Sequence, residues 1–170
     1  MTLSARVTDA MIAFYAGDSK RIHHFLTVYG FAKAIGESEG LDAATQEILE
    51  IAALTHDIGI RVSEQKYGFY NAEKQQEEGP PVAREMLAKL GCREPLIERV
   101  CWLISRHHTY TDIVGADYQI LVEADFLINI YGHSMEEPAI RKIQKNIFKT
   151  ATGLRFLENA FNLNTAAPDD

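Results

Sequence analysis

The sequence is poor in several features that would each define a class of protein. Cysteine is nearly absent: Cys92 and Cys101 are the only two, nine residues apart, with neither CxxC spacing nor a disulfide framework. A secreted disulfide scaffold is therefore excluded, and the two are expected to be buried thiols of a reduced, cytoplasmic protein. Positive charge is in deficit, with 17 lysines and arginines against 24 acids and a net charge of −7. A general polynucleotide or anionic-membrane surface is not expected, although a local basic pocket stays open. No apolar run reaches membrane-spanning length. Residues 1–10 hold no continuous apolar stretch of the kind a secretory signal needs. Strand-like alternation is scarce, and no internal repeat is found. Disorder is excluded too, because 46% of the residues are apolar and only 24% charged.

What remains is helical periodicity. The 170 residues suit one domain, expected over residues 1–164 with a frayed tail at 165–170. Apolar residues recur at helical spacing from Val7 to Phe14, from Ile22 to Ala32 and from Ile48 to Leu54. Asp18 or Ser19 and then Asp42 read as helix caps. Further apolar stripes run through Met86, through Ile97 to Ile104, through Ile120 to Ile128, through Ile140 to Phe148, and after Gly153. Pro80–Pro81, Pro95 and Pro138 read as helix starts. Residues 60–80 are polar and glycine-containing and read as a long loop, with at most a short helix over residues 71–78. The expected architecture is an all-α bundle of about seven to nine helices.

Five of the six histidines fall in three places: His23–His24, His56 and His107–His108. His56–Asp57 closes an apolar helix, and Asp125 sits within the most apolar stretch, residues 120–130. An acid in such surroundings is unfavourable without a partner. A divalent cation ligated by His24, His56, Asp57 and Asp125 is one solution, since imidazoles and carboxylates suit first-row metals and two carboxylates neutralise the ion. The other is that His24 is a satisfied core histidine and Asp125 a helix–helix hydrogen-bond partner. Spacing alone does not choose between them.

The ordered set does more. Arg21-Ile22-His23-His24 with Val28, then Ala52 to Gly59 around His56–Asp57, then Gly79-Pro80-Pro81-Val82-Ala83, Arg106-His107-His108 and Glu123-Ala124-Asp125 resemble the HD-domain superfamily of metal-dependent phosphohydrolases. The resemblance runs from about Lys20 to Ile130. It implies an HD-domain helical bundle in which His24, His56, Asp57 and Asp125 bind one divalent metal, with manganese, iron, nickel, cobalt, zinc and magnesium all admissible. The shared register selects His24 rather than His23. Binuclear relatives add histidines, one of them between the HD pair and the later histidines. This chain has none there, and Gln75, Gln76, Glu77 and Glu78 occupy that region. A single ion is therefore expected.

The chemistry implied is metal-assisted attack of water on a phosphate ester or phosphoanhydride of a small, nucleotide-like substrate. Asp57 is a ligand that can also orient or deprotonate the water, and Glu77 or Glu78 is an alternative base. His107 and His108 are candidates for catalysis and phosphate contact. Arg61 and Arg106 are candidate phosphate ligands, and Tyr67, Tyr70 and Tyr110 candidates for stacking a base. Two other functions fit the same pocket: a nucleotide-binding sensor without catalysis, and, with two irons, an oxygenase. No membrane or polynucleotide partner is expected, and a homo-oligomer is left open.

Overall fold

Five side chains set helix starts. Thr2, Asp18, Asp42, Asn71 and Thr150 each accept a hydrogen bond from an amide in the first turn that follows, so donors without an intrahelical partner are satisfied. The computed structural model describes residues 1–164, and the expected frayed tail at 165–170 lies outside them. Among the described residues there are nine helices and no strand: α1 (Leu3–Phe14), α2 (Ser19–Ser38), α3 (Ala43–Thr55), α4 (Gly59–Tyr67), α5 (Ala72–Lys89), α6 (Glu94–Ile104), α7 (Ala116–Gly132), α8 (Glu137–Ile147) and α9 (Ala151–Ala160).

The core lies where α2 packs on α3 and α7 while α3 also meets α1 and α6. Phe25, Val28, Ala32 and Ile35 of α2 join Leu49, Ile51, Ala52, Ala53 and Leu54 of α3 and Ile120, Leu121 and Ala124 of α7 in one core, all essentially inaccessible to water. This apolar burial fixes three helices around one axis. α4 and α5 pack against each other, and α5 against α6, forming a flank beside the core. No helix among the described residues is long and apolar enough to cross a membrane.

Residues 60–80 depart from the expected loop. They form α4 and most of α5, separated only by residues 68–71. Gly68, in the left-handed region at φ 78°, ends α4, and Asn71 caps α5. Pro80 and Pro81 lie inside α5 instead of opening it. Gly79 lies inside α5 as well. A Cβ on Gly59 would stand 2.7 Å from Gly79 N, and one on Gly79 would stand 2.6 Å from Ile104 Cγ2. The two glycines mark where α4 and α5 nearly touch. Gly36 is likewise interior to α2, and Gly40, at φ 75°, makes the turn after it. Within the segment Phe148 to Gly153, Thr150 caps α9 by accepting from Gly153 N.

Candidate metal centre

His24 points inward from α2 because Ile22, Phe25 and Val28 fix that helix's buried face. His56 and Asp57 follow directly on α3, in the turn that leads to α4. Asp125 comes from the middle of α7. These elements bring four side chains together from distant parts of the sequence. His24 Nε2 lies 3.2 Å from His56 Nε2, 3.3 Å from Asp57 Oδ2 and 3.3 Å from Asp125 Oδ1. His56 Nε2 lies 3.4 Å from Asp57 Oδ2 and 3.6 Å from Asp125 Oδ1. His56 is fully buried and its Nδ1 donates to the Ala53 carbonyl at 2.8 Å, so Nε2 is the atom left to face the cluster. Tyr15 donates to the Asp57 backbone carbonyl at 2.8 Å and steadies the turn.

These residues fit a divalent ion. With bonds of about 2.1 Å, neighbouring ligand atoms stand about 3.0 Å apart in an octahedron and about 3.4 Å in a tetrahedron, close to the spacings found. Asp125 Oδ1 is buried and has no hydrogen-bond partner among the described residues. Such an orphan acceptor is costly unless a cation meets it. The ion-free electrostatics say the same. Burial opposes charge on His56, but Asp57 and Asp125 outweigh it and raise its pKa well above the usual histidine range. Burial likewise opposes charge on His24, and Asp125 and Asp57 again prevail. Burial would raise both carboxyls, yet the facing imidazoles hold Asp57 and Asp125 well below the usual carboxylate range. The cluster thus keeps both acids ionised and recruits positive charge, which a metal supplies in place of protons.

His107 follows α6. It is buried, its Nδ1 donates to the Ile104 carbonyl at 2.8 Å, and its Nε2 lies 3.5 Å from Asp57 Oδ1 without a hydrogen-bond partner. His108 is tied by both ring nitrogens, Nε2 at 2.9 Å from Gln75 Oε1 and Nδ1 at 3.3 Å from the Tyr110 hydroxyl. Burial, helped by His107, pushes the His108 imidazole down to about 4, so it is neutral at physiological pH.

A cleft of about 450 Å³ opens onto this centre, lined by His24, Asp57, Asp125 and His108 together with Lys20, Arg21, Tyr70, Tyr110, Phe126, Asn129, His133 and Met135, among others. The structure thereby brings together His24, His56, Asp57, Asp125, His107 and His108, with Tyr70 and Tyr110 at the rim. Four other candidates lie elsewhere. Arg61 is outside the lining, because its guanidinium donates to the Phe14 carbonyl and stacks on the Phe14 ring. Arg106 is outside it too, over Trp102 at 5.0 Å. Glu77 is an exposed partner of Lys74, and Glu78 pairs with Lys66 and Tyr67, so neither stands at the centre as a base. Lys20, Arg21 and Asn129 were not visible as site residues in the sequence, and His133 reads there as an unassigned loop histidine. They reach the cleft only because the start of α2 meets the end of α7. His23 is exposed, with Nδ1 2.6 Å from the Ser19 carbonyl oxygen.

The family model of the HD domain matches residues 21–144. The chain belongs to the HD-domain family, whose members bind a divalent metal. Among solved structures it is similar to a predicted HD superfamily hydrolase from an uncultured Thermotogales bacterium, at 24% identity and a TM-score of 0.65, covering 92% of this chain and 84% of that one. No curated protein matches.

Proposed function

We propose that the protein is a metal-dependent phosphohydrolase that cleaves a phosphate ester or phosphoanhydride of a small nucleotide-like molecule in the cytoplasm. The observation that carries this reading is a cluster at the base of a cleft in which His24 Nε2 and His56 Nε2 lie 3.2 Å apart and each stands 3.3–3.6 Å from Asp57 Oδ2 and Asp125 Oδ1. A divalent ion held by His24, His56, Asp57 and Asp125 supplies Lewis acidity and a more acidic water. The rest falls to the protein. His107 Nε2, unpartnered and beside Asp57 Oδ1, takes the proton from the attacking water, and Asp57 orients that water. Burial and the Asp125 charge push the Tyr110 phenol up to about 12, so its hydroxyl stays protonated and holds His108 through Nδ1 at the edge of the cleft.

The cleft also sorts substrates. Lys20 lines the cleft with no ion pair among the described residues and offers its charge to a phosphate, whereas the Arg21 guanidinium is already held by Asp18 and Glu64, each at 2.8 Å. Tyr70, Phe126 and Met135 give an apolar surface for a base or sugar. The test is a panel of nucleotides, dinucleotides and a generic phosphodiester, incubated with Mn²⁺-loaded protein. Turnover of at least one is expected. Tight binding of a nucleotide that remains intact after prolonged incubation would instead make the protein a sensor.

A further inference from the structure

The Asp57 carboxylate faces two ways. Oδ2 looks to His24 and His56, while Oδ1 looks to His107 Nε2. Asp57, His107 and His108 form a second group whose ligand atoms lie within 4.8 Å of one another. By composition this is a second ion position sharing Asp57 with the first. Its third member is committed elsewhere. Gln75, buried on α5, places Oε1 2.9 Å from His108 Nε2. The neighbouring Gln76 accepts from His108 N at 3.0 Å and from Thr109 Oγ1 at 3.2 Å, which holds the whole segment down. The close approach of α5 to α4 at Gly59 fixes where Gln75 stands, since the Gln75 carbonyl is itself 2.7 Å from a Cβ built there.

We propose that Gln75 limits the centre to one tightly held ion by occupying His108 Nε2. The second position is then left with two protein ligands, Asp57 Oδ1 and His107 Nε2, too few to hold a divalent ion against water. Gln75 is a positioning residue in this scheme, acting through His108. The inference rests on the metal-centre reading above.

Two substitutions separate the cases. Gln75→His places a nitrogen ligand in the same space, and Gln75→Ala releases His108. Metal-free protein is titrated with Mn²⁺ alone, and bound ions per chain are counted by native mass spectrometry. Electron paramagnetic resonance reports whether the ions are coupled. The native chain is expected to bind one ion with an uncoupled spectrum. Gln75→His is expected to bind two, with a spin-coupled spectrum and a second dissociation constant at least about tenfold tighter than in the native chain. Adding His108→Ala to Gln75→His should weaken that second ion again. Two equally tight ions in the native chain would overturn the proposal, as would one ion in a Gln75→His protein whose melting and circular dichroism are native. If Gln75→His does not fold, Gln75→Ala carries the same test, with a tighter second ion supporting the proposal and an unchanged one overturning it. No ion in any variant would overturn the metal-centre reading itself, and this inference with it.

Discussion

His56 shows how single residues make the centre. It has no access to water, yet it faces two carboxylates, which favour positive charge on it more than burial opposes it. In the ion-free protein His24 and His56 hold protons above the usual histidine range, so a metal must displace them. Apparent Mn²⁺ affinity is therefore expected to rise with pH through and beyond about 6.5, and titration calorimetry in buffers of different ionisation enthalpy should detect proton release. Affinity that falls as pH rises would contradict this. Asp125→Asn keeps the shape and removes one charge. It should weaken Mn²⁺ binding by about 100-fold or more, since even outer-shell partners of a metal site are worth about 10–100-fold. His56, Asp57 and Asp125 stood out in the sequence as polar residues in or at the end of apolar stretches, but only the family resemblance singled out the candidate set of four, His24 included. Arg61 was misleading for the opposite reason. Its nearness to Asp57 in sequence suggests the site, but its partner, the Phe14 carbonyl, belongs to α1 and leaves no trace near residue 61.

At the scale of elements, the stripes of α2, α3, α6 and α7 were readable from periodicity, as was the Asp42 cap. α4 and α5 were not. Their composition is polar, and Gly79 with Pro80–Pro81 looks like a boundary. In the fold Gly79 is a crossing point. The carbonyls that the prolines cannot serve are those of Gln76, half-buried, and Glu77, exposed, on the side of α5 away from its tightest packing. The crossing yields a test. Gly59→Ala puts a methyl 2.7 Å from two backbone atoms and should destabilise the protein by about 1–3 kcal/mol in urea unfolding. Gly30→Ala, on the exposed face of α2 with nothing within 4 Å, should instead stabilise it by about 0.5–1 kcal/mol. Equal effects would mean that α4 and α5 do not approach as described.

For the whole molecule, the bundle holds candidate ligands from α2, the α3–α4 turn and α7 near one another, so an ion that bridged them would couple binding to folding. Saturation to about 100 times the dissociation constant adds about 2.7 kcal/mol, which in a chain of this size raises the melting temperature by about 5–11 °C. Differential scanning calorimetry with and without Mn²⁺ checks this, and Asp125→Asn should lose most of the shift. The cleft itself was the least legible part. Lys20, Arg21 and His133 lie more than a hundred residues apart at the extremes, and only the packing of α2 against α7 joins them. The most direct measurement is the rate of phosphate release from the best substrate of the nucleotide panel by one preparation, metal-stripped, then reloaded with Mn²⁺, beside Asp125→Asn treated identically. No turnover is expected when stripped, with recovery on reloading and little recovery in the variant. Equal turnover by the stripped and reloaded protein would contradict this expectation.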